Sequence, residues 1–227
     1  MMAAVLLSLA GCRQAVTYKI TQEGRQVTRH FPMTLRVALL KDEAPKHPSI
    51  NLSMGKQRWK ANALDAYKDK EYVRGISKMI AQDLASSGLF TQVLPPDGAN
   101  AEADYELRGT VWDFSAVGKW KIAPENVVIF SSVFLNLPGA LISAMSTRWV
   151  KTEVVSSVIL TNLQIVDLRT GKTLWTCPPL RAGGVETVRW SQADVGPLVK
   201  LANRDLQQVV TQLINRLNDA KLGGGPH

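Results

Sequence analysis

The sequence predicts an α+β fold: a mixed sheet of about five to six strands with two long helices on one face. Three observations carry this. Apolar residues alternate with period two at Leu35, Val37 and Leu39 and again at Tyr105, Leu107, Gly109 and Val111. Two stripes recur at helical spacing, one through Val73, Ile76, Ile80 and Leu84 and one from Leu198 to Leu217. Between them Thr152 to Leu168 is apolar on both faces in places, as a centrally placed strand requires.

The elements follow in order. Arg13 to His30 is polar and sparse in core residues, and reads as a tether or as a weak hairpin at a sheet edge. Met33 to Leu40 is the opening strand. Lys41 to Lys60, with Pro45, Pro48 and Gly55, reads as a long surface loop. A helix is predicted from Asp69 to about Ser87, with Gly88 where a left-handed cap belongs. Leu89 to Leu94 is a short strand ended by Pro95-Pro96, and Tyr105 to about Ser115 is the next. The strand Thr152–Leu168 turns at Asp167–Lys172 and returns through Thr173–Cys177, and Gly183-Gly184 loosens the loop before Val185–Val188. The last helix starts near Asp194, with Pro197 in its first turn and a buried stripe through Leu198, Leu201, Leu206, Val209, Val210, Leu213, Ile214 and Leu217. Gly223 to His227 forms a flexible tail. Residues 33–218 are thus read as a single domain.

One stretch breaks the pattern. From Asn126 to Thr147, 22 residues carry no charge. That length matches a spanning helix, yet Asn136, Pro138-Gly139 and four serines spoil it, and Pro-Gly would break it in the middle. Two short apolar helices joined at Pro138-Gly139 fit better, as a hairpin inserted at 120–150. Its flanks, Trp120 with Lys121 and Arg148 with Trp149, are residue types that favour a membrane interface. The segment is either a contact surface, with Trp120, Phe130, Phe134, Leu137, Leu141 and Trp149 meeting lipid or a partner, or a pair of helices closing the domain's own core.

Composition is globular, with 45% hydrophobic and 20% charged residues. A formal charge of +8 points to anionic lipid head groups or an acidic partner. Catalytic chemistry finds no foothold. His30, His47 and His227 are scattered without zinc spacing, and no glycine pattern suits a phosphate. Asp104 and Glu106 alternate onto the outer face of a strand, Asp167 belongs to a turn, and Ser131-Ser132 and Ser156-Ser157 lack an activating base. Cys177, before Pro178-Pro179, reads as a half-buried thiol. The chain is therefore expected to be non-enzymatic, without metal or cofactor.

The opening residues, Met1 to Gly11, carry no charge and end in small residues before Cys12, as a secretory leader does. Leu9-Ala10-Gly11-Cys12 resembles the lipobox of bacterial lipoproteins. That resemblance implies cleavage before Cys12, a diacylglyceryl group on its sulfur and an acylated amine, with no other cofactor. No Lys or Arg precedes the apolar run, which departs from the usual leader. By the same resemblance Arg13, where an Asp would retain a lipoprotein in the inner membrane, implies the outer membrane at its periplasmic face. The order of elements, with Leu35-Arg36-Val37-Ala38-Leu39, Ser87-Gly88-Leu89-Phe90, Asp104-Tyr105-Glu106-Leu107, the turn Asp167–Trp175 and Ala202-Asn203 in the last helix, resembles the auxiliary lipoproteins of ABC-type lipid transporters and, in broad plan, the curli-secretion lipoprotein. The insert at 120–150 lies outside that plan. The expectation is an accessory lipoprotein docking on a larger envelope assembly for transport, secretion or cell-wall synthesis. The alternative is a subunit of a homo-oligomeric lipoprotein ring or outer-membrane pore. Nucleic acid is not an expected partner.

Overall fold

The computed structural model describes residues 16, 18–21, 23–44, 51–54, 57–60, 62–64, 71–98, 102–120, 151–189 and 196–220. Its strands are β1 (Phe31–Val37), β2 (Lys41–Asp42), β3 (Asn51–Met54), β4 (Gln57–Lys60), β5 (Asn62–Ala63), β6 (Phe90–Leu94), β7 (Tyr105–Trp120), β8 (Lys151–Asp167), β9 (Thr173–Cys177) and β10 (Leu180–Arg189). Its helices are α1 (Tyr72–Ser87) and α2 (Gly196–Asp219).

Eight of the ten strands form one mixed sheet, ordered β10-β8-β7-β1-β6. β1 and β6 are parallel and joined through α1, while β7, β8 and β10 pair antiparallel. The long pair β7–β8 is the spine. β1, β2 and β5 follow one another along the free side of β7, and β9 and β10 share the far side of β8. β3 and β4 form a separate hairpin. The region from Lys41 to Lys60, expected as loop, thus contains three short strands. We call the end where β7 finishes and β8 starts the tip of the sheet, and the opposite end its base.

Both helices cover one face. On α1, Val73, Ile76, Ile80 and Leu84 fall three and four residues apart and are buried, and Gly88 closes the helix with φ 74°, a conformation that suits a residue without Cβ. On α2 the stripe from Leu198 through Leu206, Val210 and Leu213 to Leu217 is wholly inside, with Pro197 at the second position, where a missing N–H costs nothing. Facing them are Leu35 and Val37 of β1, Leu107, Val111, Phe114 and Ala116 of β7, and Val154, Val158, Leu160, Leu163 and Ile165 of β8, in one continuous core. The Tyr72 ring stacks on Phe114 with centroids 6.0 Å apart, so α1 begins at the level of Phe114.

Several boundaries differ from expectation for physical reasons. β7 runs to Trp120 because β8 pairs with it out to Thr152 and β5 supports its other side at Gly118. β1 ends at Val37, so Leu39 is 52% exposed and Leu40 turns inward instead, its amide donating to Ser77 Oγ (3.1 Å). The two faces of β8 do not stay separate. Val154, Val158 and Leu160 point inward with odd spacing from Leu163 and Ile165, because Asn162, at φ 52°, shifts the phase opposite Gly109. A Cβ on Gly109 would stand 2.6 Å from Leu163 Cδ2. Gly183-Gly184 does not loosen a loop. Both lie inside β10, where a Cβ on Gly183 would sit 2.7 Å from Ser156 O, closer than two strands can hold one.

Candidate functional site

Among the described residues no three His, Cys, Asp or Glu side chains gather to hold a metal, and no helix is long and apolar enough to cross a membrane. The polar residues weighed for chemistry have structural partners. Asp104 Oδ2 accepts from the Thr34 amide (2.8 Å) and fixes the start of β7 against β1. Glu106 pairs with Arg108 (2.5 Å). Asp167 accepts from the Thr170 and Arg169 amides (3.0 and 2.8 Å), and the Thr170 amide first holds its carboxyl below the usual range. His30 Nδ1 donates to Gly88 O (3.0 Å) at the close of α1. Ser156 Oγ donates to Asp205, buried between β8 and α2, with no histidine beside it. Cys177 lines a shallow cavity of about 220 Å³ with Trp175 and Arg216. Burial pushes its thiol up, and Arg216 only partly opposes this.

The arrangement with functional content is where the chain enters and leaves the domain. The described residues between Val16 and His30 run as a strap lengthwise over α1 and α2, from the first turn of α1 towards the base. Val16 packs on Gly75, where an added Cβ would meet it at 3.1 Å. Gln207 Nε2 donates to Lys19 O (3.1 Å) and Thr21 Oγ1 (3.0 Å). Asn215 Nδ2 donates to Gly24 O (2.9 Å), and its oxygen accepts from the Gln26 amide (2.9 Å). Asn218 Oδ1 takes the amides of Thr28 (2.8 Å) and Arg29 (3.1 Å). Two asparagines thus satisfy backbone that has no strand beside it.

The strap is locked near its middle. Asp83, fully buried on α1, accepts from Tyr18 Oη (2.9 Å) and is paired with Arg25, whose side chain is 2% exposed. Arg25 Nη1 also donates to Ser86 Oγ (3.0 Å). Burial first, then the Asp83 charge and hydrogen bond, push the Tyr18 phenol far above its ordinary range. Sequence reasoning missed this cluster. The available signal was Asp83 itself, one residue before Leu84 and three after Ile80, on the stripe that has to be buried. Asp205 and Asn218 carry the same signal on α2.

At the tip, Trp120 pairs with Thr152 and Lys151 with Arg189, so residues 121–150 leave and rejoin the fold at adjacent strand ends. Trp120 is placed there by its backbone. Cys12, Phe130, Phe134, Leu137, Leu141 and Trp149, with the expected hairpin at 126–147, lie outside the described residues.

No family model matches the chain, and no curated protein matches it. Several solved structures do. A protein of the DUF330 family from Xanthomonas campestris is 14% identical over 85% of this chain and 90% of that one, with a TM-score of 0.41. The PelC dodecamer from Paraburkholderia phytofirmans is 13% identical over 82% and 92%, with a TM-score of 0.33. A lipoprotein from Neisseria meningitidis is 14% identical over 83% and 100%, with a TM-score of 0.31. At such scores and identities no function is carried over from them.

Proposed function

We propose that this chain is a non-enzymatic lipoprotein, held by acyl chains on Cys12 at the periplasmic face of the bacterial outer membrane, and that it serves there as an accessory or docking subunit of a larger envelope assembly. The observation that carries the reading is the shared end of its exits. The strap fixes Val16 at the first turn of α1, and four residues back to Cys12 span at most about 14 Å. From the same level, marked by Phe114 under Tyr72, β7 and β8 project about 20 Å further as an arm flanked by β5 and β10. That arm delivers the uncharged segment 126–147 on the side of the domain from which the anchor arises. A lipid-bearing cysteine and an uncharged segment at one end suit a protein that works against a membrane.

The anchor is tested by Cys12→Ser. The parent should fractionate with membranes and yield fatty acid on hydrolysis, and the variant should be released. A variant that stays with the membranes, together with a parent that carries no fatty acid, overturns the reading. The contact role of 126–147 is tested separately by Phe134→Asp and Leu141→Asp, which should leave the circular dichroism unchanged and detach the protein from its partner or membrane. Unfolding of both variants assigns the segment to the core instead.

One observation favours the ring reading. Among the described residues β10 has a strand on one side only, and this ten-residue edge offers backbone donors and acceptors to another chain. A large assembly on sizing of detergent-extracted protein would select it.

A further inference from the structure

β10 lacks the devices that usually blunt an edge strand. It pairs with β8 residue for residue from Leu180 to Arg189 without a bulge, and its middle, Gly183-Gly184-Val185, carries neither charge nor proline. Alternate residues of an antiparallel strand turn their N–H and C=O to opposite sides. Ser156, opposite Gly184, aims its carbonyl at β10, while the Arg181 carbonyl is taken by Gln212 Nε2 of α2 (3.1 Å). Gly184 therefore bonds to β8, and Gly183, Val185 and Thr187 turn their amides and carbonyls outward. Gln212 closes the edge at Arg181; among the described residues nothing closes it from Gly183 to Thr187. The side chains add two features. Val117, Val155 and Val185 stand in one row across β7, β8 and β10 on the face away from the helices, and Val185 is 66% exposed. On the helix face Arg204 lies over Gly184, 3.3 Å from where a Cβ would be, and pairs with Glu186 (3.1 Å), both side chains being about half exposed.

We propose that β10 is a homodimer interface, on which a second copy of this chain lays its own β10 antiparallel about a two-fold axis at Val185. In that register Val185 faces its counterpart and Gly183 faces Thr187 of the copy, so the outward groups meet in about six backbone hydrogen bonds. The valine row then runs on from one chain into the other. Gly184 falls opposite Glu186 of the copy, so Arg204, lying over Gly184, meets a second carboxylate. A slip of one residue undoes this. A two-fold at Gly184 sets the two Arg204 guanidiniums against each other, and one at Glu186 sets the two carboxylates face to face. Charge thus selects both the occupant and the register. An isologous contact closes after two chains, so the assembly is a dimer and not a ring. It forms whether or not Cys12 is acylated.

The experiment uses the full chain carrying Cys12→Ser in mild detergent, so that neither an acyl group nor a thiol at that position contributes. Cys177, present throughout, is buried. Val185→Cys in this background should give a disulfide-linked dimer on a non-reducing gel after air oxidation. A directly opposed, hydrogen-bonded pair stands about 5.5 Å apart between Cα atoms, within disulfide range. Thr187→Cys should give none, since its two copies would lie four steps apart along the pair, about 13 Å. Sedimentation of the Cys12→Ser chain should give twice its 24.9 kDa. Val185→Lys, at an exposed site, should leave the circular dichroism unchanged and weaken the dimer about tenfold by setting like charges opposite each other. Cross-linking at neither position, or equally at both, overturns the proposal. So does a monomer, which means that another stretch of this chain or a different partner covers β10. A large ring without cross-linking at Val185→Cys overturns it as well, because β10 then meets a different surface. None of these results depends on where the Cys12→Ser protein fractionates, so the dimer and the anchored reading stand or fall separately.

Discussion

Replacing Arg25 by Met is the most informative single change to the strap. Methionine keeps the aliphatic length but removes the guanidinium, which leaves the Asp83 carboxylate buried at 0% exposure with Tyr18 as a neutral donor. Breaking a buried pair from one side costs about 3–5 kcal/mol, since the orphaned charge keeps its desolvation penalty. Against a total stability of about 5–15 kcal/mol this is a large share. At roughly 2–4 °C per kcal/mol for a chain of this size, the midpoint should fall by about 6–20 °C. Urea unfolding followed by circular dichroism gives the free energy, and limited trypsin digestion at Lys19 and Arg29 reports whether the strap has lifted. Lys78→Met is the control: its pair with Asp97 is about half exposed on both sides, and the unfolding midpoint should barely move. Arg25→Met combined with Asp83→Leu should recover part of the loss, because both charges leave together. If Arg25→Met behaves like Lys78→Met, and trypsin cuts the parent strap as fast as the variant's, the lock described here does not exist.

Gly183→Ala should destabilise by about 1–3 kcal/mol in the same unfolding assay, because the added carbon meets the Ser156 carbonyl at 2.7 Å and backbone has to yield. Leu84→Ala empties a site with no exposure under the strap and should cost about 2–5 kcal/mol by urea unfolding. Tyr18 has its pKa raised in the folded chain, so above the unfolded value near 10.0 the folded state holds a proton that the unfolded state releases. Stability should therefore fall as pH rises past that value, by up to about 1.4 kcal/mol per unit from this group, and Tyr18→Phe should remove that part of the slope. With Cys12 replaced by Ser, Cys177 should react with iodoacetamide more slowly than free cysteine at pH 8, since burial disfavours its thiolate.

The helices and the main strands were legible because their burial is periodic. Ile76, Ile80 and Leu84 announce one face of α1, and Leu35 with Val37 one face of β1. The phase of β8 was not, because the shift at Asn162 depends on a left-handed conformation that only the partner strand with Gly109 accommodates. β2 and β5, two residues each, exist through pairing with β7 and leave no local pattern to read. The strap was illegible for a different reason. Its bonds run through backbone amides to Asn215 and Asn218, nearly two hundred residues along the chain, so no local hydrophobic pattern records it.

The strap also sets the length of the leash. Were residues 13–30 free and Cys12 acylated as proposed, nineteen steps of chain from Cys12 to Phe31 could let the domain wander about 65 Å from that anchor. With Val16 seated on α1 the leash shrinks to four residues, and the volume the domain explores contracts by about two orders of magnitude. Its effective concentration at the bilayer rises in the same proportion, which turns weak surface contacts into durable ones. On the anchored reading proposed above, a domain held this way meets what passes close to the lipid rather than partners farther from the membrane.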